Sequence, residues 1–134
     1  MNTELRKEKI RTFRDLYAWQ EAHQLVLMVY VLSKKFPREE LFALTSQLRR
    51  AIVSITSNLA EGFSRTSYRE KANFYSIALG SLTESQNQLI VALDINYLNN
   101  ADFDTAWNQS ITVSKLINGL LKSTKGYSVS IHNS

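Results

Sequence analysis

The chain has no cysteine among its 134 residues. That excludes disulfides, thiolate nucleophiles and cysteine-bound zinc, and it agrees with a reducing, cytoplasmic setting. Glycine occurs four times, widely spaced, so no glycine-rich phosphate loop is encoded. There are two histidines, His23 and His132, and neither sits in the Glu-x-x-His pairs that a di-metal helical bundle needs. Serine, histidine and aspartate occur, but no pattern sets them as nucleophile, base and orienter. The longest apolar run, residues 25–32, is eight residues long, against the ~20 needed for a membrane span. Residues 1–13 are too charged for the apolar core of a secretory signal. The expectation is a non-enzymatic, cytoplasmic protein with no metal, no cofactor and no membrane partner.

What remains is enough for one domain. At this length folding removes roughly two thirds of the unfolded surface from water, a core that needs no covalent staples. Sixteen Lys and Arg against twelve Asp and Glu give a net charge of +4. Up to Gly80 the count is thirteen basic to eight acidic, and beyond it three to four. The N-terminal arm, residues 1–12, carries Arg6, Lys7, Lys9 and Arg11, with Arg14 just beyond. Such an arm suits a polyanion such as RNA, because each cation that neutralises a phosphate releases counterions. The alternative is a surface whose charge keeps the protein soluble.

Apolar residues recur at helical spacing throughout. Ala18, Ala22, Leu25, Val29, Leu32 and Phe36 alternate steps of four and three, which predicts a first helix over 13–35 with a bundle-type packing seam. Pro37, the only proline, is followed by Arg38, Glu39 and Glu40 and reads as a helix start, giving a second helix over 37–62. A break at 62–66 is followed by Ser67 and Glu70 in capping-box spacing and a third helix over 67–98. Asn99, Asn100 and Asp102 supply a turn and an N-cap. Phe103, Ala106, Trp107, Ser110, Val113, Ile117 and Leu120 mark a fourth helix ending at Gly126. Residues 13–125 thus form an all-α, antiparallel up-down-up-down four-helix bundle, with 126–134 a frayed tail.

The second helix carries a polar stripe, Gln47, Arg50, Ser54, Asn58, Glu61 and Arg65, beside an apolar one of Leu44, Leu48, Ile52, Ile55 and Leu59. In a hairpin with the third helix, Arg50 comes level with Glu84, and Ser54 lies near Ser81. The expectation is an Arg50–Glu84 ion pair, with Ser54, Asn58, Ser81 and Glu61 completing a polar register device. Small residues, Ser46, Val53, Ser57 and Ala60, form a further strip, and Trp19, Val26, Leu27 and Tyr30 extend the apolar surface of the first helix. Together they imply subunit contacts. The alternative is that Trp19 and Tyr30 complete the monomer core.

Phe13-Arg-Asp-Leu16 with Trp19 and Ala22, Phe36-Pro37, Glu40, Leu44, Gly80-Ser-Leu with Glu84, and above all the run R-R-A-x-x-S-I-x-x-N-x-A-E-G-x-x-R from Arg49 to Arg65 resemble the bacterial 23S rRNA intervening-sequence protein family. The resemblance covers residues 13–121. It implies a four-helix bundle assembled as a ring-like homopentamer, in a family whose molecular role is unsettled. A more distant similarity, at fold level, is to the basic accessory pentamer of diversity-generating retroelements. Candidate phosphate contacts are Arg49, Arg65, Arg69, Lys71 and the cations Arg6, Lys7, Lys9, Arg11 and Arg14. The competing reading is a protein-interaction scaffold with no nucleic-acid ligand. Aromatic stacking platforms for single strands are not evident in the pattern, so RNA binding would be driven by shape and backbone.

Overall fold

A computed structural model describes residues 10–133, and their side chains up to Thr124. Four α-helices, with no strand among these residues, surround one core: α1 (Tyr17–Ser33), α2 (Leu44–Ser64), α3 (Tyr68–Asp94) and α4 (Asn100–Asn133). The arrangement is consistent with a four-helix bundle. No helix among the described residues is long and apolar enough to cross a membrane.

The local chemistry explains where each helix starts and stops. Phe13–Asp15 form a separate 3-10 turn because Leu16 is extended (φ −72°, ψ 128°), so α1 begins at Tyr17 rather than at Phe13. Thr12 caps that turn, and the Asp15 carboxylate accepts from the backbone N–H of Arg11 (2.8 Å) and of Thr12 (3.0 Å). Those two hydrogen bonds, Arg11's first, hold the Asp15 carboxyl below its ordinary pKa.

The start expected at Pro37 is corrected. Pro37 opens only a 3-10 turn over Arg38–Glu40, and the non-helical backbone of Ala43 (φ −124°, ψ −108°) delays α2 to Leu44. The break expected over 62–66 falls in the second half of that range. Gly62 is buried within α2, and the chain leaves the helix at Arg65, whose backbone is extended.

Ser67 Oγ accepts from Glu70 N at 3.1 Å and starts α3. At its other end Asn96 takes a left-handed conformation (φ 68°). Tyr97 N–H then reaches back to Ala92 O at 2.8 Å and Asn96 N–H to Leu93 O at 3.0 Å, the paired bonds of a Schellman stop. Asn99 Oδ1 accepts from Asp102 N at 2.7 Å and caps α4. Gly126 does not end that helix, whose backbone continues to Asn133. A helical interior tolerates a single glycine at a cost of about 1 kcal/mol, less than the gain from continuing a long helix already formed.

The core is built from the seams that periodicity marks. Ala22, Leu25 and Val29 of α1 meet Leu48, Ile52, Ile55 and Leu59 of α2, Ala78, Leu82 and Leu89 of α3, and Ala106, Val113 and Ile117 of α4, all buried. Each helix packs against two neighbours, so the circuit α1–α2–α3–α4–α1 closes. Polar links tie the circuit: Arg49 Nε to Ser33 Oγ (2.9 Å), Ser54 Oγ with Ser81 Oγ (2.8 Å), Gln86 Nε2 to Ser110 Oγ (3.0 Å) and Gln109 Nε2 to Glu21 O (2.8 Å). Lys35 Nζ and Asp102 Oδ2, 3.1 Å apart, join the end of α1 to the start of α4.

Candidate nucleic-acid interface

The polar stripe of α2 divides into a part that holds helices together and a part that faces water. Ser54 and Ser81 share a hydrogen bond across the α2–α3 contact, and Asn58 Nδ2 donates to Ser54 Oγ (3.0 Å) and to Ser54 O (2.8 Å). The Arg50–Glu84 ion pair does not form. Both side chains are exposed, and Glu84 Oε1 accepts only a 3.4 Å bond from Gln88 Nε2. A short hydroxyl–hydroxyl bond brings the helices close at this level, and two charges beside it lie lower in energy in water than desolvated between the helices. Glu61 also stands outside the seam. It is exposed and accepts from Arg65 Nη2 at 3.2 Å along its own helix.

Three of the proposed phosphate-binding cations have partners within the chain. The Arg49 guanidinium lies 4.9 Å from the centre of the Tyr30 ring while its Nε bonds Ser33. That of Arg65 lies 4.8 Å from the centre of the Phe74 ring, pairs with Glu61, and has a buried Nε. Lys71 Nζ donates to Phe63 O (2.7 Å) and Gly62 O (3.4 Å) and sits 5.3 Å from the Phe63 ring centre. Partial burial pulls its pKa below the usual lysine value. Lys71 therefore terminates α2, satisfying carbonyls that the helix itself leaves open. The signal was in the sequence: a lysine shortly after a predicted helix end, on the next helix of a hairpin.

Arg11, Arg14 and Arg69 are exposed and available to solvent anions, whereas Arg6, Lys7 and Lys9 lie outside the described residues. Exposed Lys34, Arg38 and Lys122 add cations that pattern reading did not single out. Among the described residues no three His, Cys, Asp or Glu side chains group closely enough to hold a metal ion. His23 stacks on Trp19, ring centres 4.8 Å apart, and Phe13 meets Trp19 edge-on at 5.3 Å.

An open cleft of about 720 Å³ lies beside α2, lined by Tyr30, Leu41, Phe42, Arg49, Arg50 and Val53 with Ser46, Ser54 and Ser57. Phe42 is 93% exposed. Reading residues 37–62 as one helix concealed it, because an aromatic on a continuous helix is assigned to a face, whereas Phe42 projects from the turn before α2. Trp19 packs against the core, while Tyr30 is 39% exposed, so only the tryptophan serves the monomer interior.

Comparison with known proteins gives a consistent result. The family model described as 23S rRNA-intervening sequence protein matches residues 14–119. A crystal structure from Bacteroides thetaiotaomicron, described as a protein with unknown function from the S23 ribosomal protein family, superposes with a TM-score of 0.73. It is 22% identical, and the match covers 78% of this chain and 95% of that one. This likeness is one of fold. No curated protein matches the chain.

Proposed function

The chain belongs to the 23S rRNA-intervening sequence protein family, and from that premise we propose that it is a non-enzymatic, self-associating four-helix protein that binds structured RNA through exposed basic side chains. The observation that carries the reading is a group of three exposed arginines, Arg11, Arg14 and Arg69, that the helix order assigns to one end, while exposed Lys34 and Arg38 stand at the other. The cross-helix pairs Ser33–Arg49, Ser54–Ser81, Phe63–Lys71 and Glu21–Gln109 support an antiparallel up-down-up-down order. In that order the start of α1, the end of α2 and the start of α3 share one end of the bundle. Arg11, Arg14 and Arg69 then belong to that end, with Arg65 and Lys71 as inner support. Repetition of that end around a closed homopentamer multiplies weak phosphate contacts into useful avidity.

Binding of a structured rRNA fragment, followed by fluorescence anisotropy across a salt series, tests this. Affinity falls steeply as salt rises, and Arg69→Ala or Arg14→Ala each reduces the magnitude of the log–log slope by about 1. Absence of binding at low salt removes the reading. The exposed Phe42 cleft favours a second reading, a scaffold whose ligand is protein and whose charge serves solubility. In that case neither arginine substitution changes complex formation.

A further inference from the structure

Arg50 and Glu84 are oppositely charged, both exposed, and neither has an ion-pair partner among the described residues. Each stands on a surface that also carries exposed apolar side chains. Arg50 lines the cleft with Tyr30, Leu41, Phe42 and Val53. Glu84 shares a face of α3 with Ile77, Gly80, Asn87, Gln88 and Val91, continued by Ile95 just past the helix, and the isoleucines and valine are 38–45% exposed. Their spacing keeps them in one stripe along the helix.

Gly80 lies in that stripe, in the middle of α3, where a Cβ would meet nothing within 4 Å and the backbone needs no left-handed φ. Nothing inside the chain explains a residue that weakens the helix. A helix backbone bare of Cβ amid exposed apolar side chains allows another chain to approach closely.

We propose that the Phe42 cleft of one copy receives the Ile77–Gly80–Glu84 stripe of a second copy, with Arg50 of the first paired to Glu84 of the second. The inference rests on the self-association reading above and names its contact. Charge complementarity selects the occupant: the cleft offers the unpaired Arg50 guanidinium, and the stripe offers the unpaired Glu84 carboxylate with exposed Ile77 and Val91 on the same face. Repeated head to tail around an axis, this contact builds the closed ring proposed above. The opposite charges set the register of the contact, and Phe42 enters the apolar centre where association energy concentrates.

Light scattering of the full chain tests the contact, with circular dichroism confirming that each variant stays helical. The wild-type chain has an oligomeric mass, Phe42→Glu reduces it to the monomer mass, and Arg50→Glu and Glu84→Arg each weaken assembly at least tenfold. Mixing Arg50→Glu with Glu84→Arg recovers oligomers in part, because all but one junction of a five-membered ring can then pair opposite charges. A pair within one chain gains nothing from mixing. An oligomer unchanged by all three substitutions overturns the proposed contact while leaving self-association standing. A wild-type monomer overturns self-association itself. An unchanged mass in Phe42→Glu, with lost affinity for the rRNA fragment, assigns the cleft to RNA and also overturns the contact.

Discussion

Gly62 of α2 lies so close beneath the Tyr75 ring of α3 that a methyl group there would stand 2.7 Å from Tyr75 Cε1 and 3.1 Å from Phe74 Cβ. The aromatic ring is buried, so it has no free space to yield into, and burial also raises the tyrosine's pKa. Gly62→Ala is therefore expected to destabilise the fold by about 1–3 kcal/mol despite alanine's better helix propensity. Gly80→Ala acts oppositely. With nothing within 4 Å of the added carbon, it stabilises a Phe42→Glu monomer by about 1 kcal/mol. Urea midpoints of the two variants measure both effects.

Ser54 and Ser81 hold α2 to α3 through one hydroxyl pair, and Asn58 fixes the orientation of Ser54. Ser81→Ala leaves Ser54 with Asn58 as its remaining side-chain partner and costs about 1 kcal/mol. A double-mutant cycle with Ser54→Ala gives a coupling energy of about 0.5–1 kcal/mol between the two positions. Additive losses would show that the hydroxyls act independently.

Lys71→Met removes the donor to Phe63 O and Gly62 O while keeping the apolar stem. The expected loss is about 1 kcal/mol, seen as a lower urea midpoint, because the last carbonyls of α2 lose a charged donor. Salt dependence of RNA binding stays unchanged in the same variant, which separates this lysine from Arg69.

The Asp15 cap sets an acid limit on the first turn. Its carboxyl is held below the ordinary value chiefly by the Arg11 and Thr12 amides, so its stabilising effect is present above the unfolded pKa of about 3.9. That effect disappears as pH falls through the lower folded value. Amide exchange at Arg11 and Thr12, compared with the mid-helix amides of α1, accelerates over that window in the native chain. Asp15→Asn exchanges faster at neutral pH, with a weaker pH dependence.

Much of this architecture was legible because four helices wrote their own seams. Leu25 and Val29, Ile52 and Leu59, Leu82 and Leu89, Val113 and Ile117 follow from spacing alone and are buried. Capping chemistry located Ser67 as a helix start and placed another N-cap among Asn99, Asn100 and Asp102, where Asn99 takes that role. Pro37 misled because its signal is shared by 3-10 and α turns, and the choice depended on the backbone at Ala43.

The candidate site was less legible. Whether a cation is free depends on contacts made far along the chain, and periodicity on one helix carries no record of Phe74 beneath Arg65 or of Phe63 O beside Lys71. Opposite charges at one level suggested Arg50–Glu84, but level is only one coordinate. The angle of each side chain around its own helix keeps both in water.

The two ion pairs among the described side chains, Lys35–Asp102 and Arg65–Glu61, both sit at the surface with no member deeply buried. Exposed pairs contribute little, and screening at ~1 M salt shortens the Debye length to about 3 Å. The melting temperature measured in sodium chloride should stay nearly flat up to that concentration. Ionic strength then becomes a dial that acts on charged partners and not on the scaffold: if the proposed RNA binding holds, a salt wash strips the nucleic acid and leaves the helices intact.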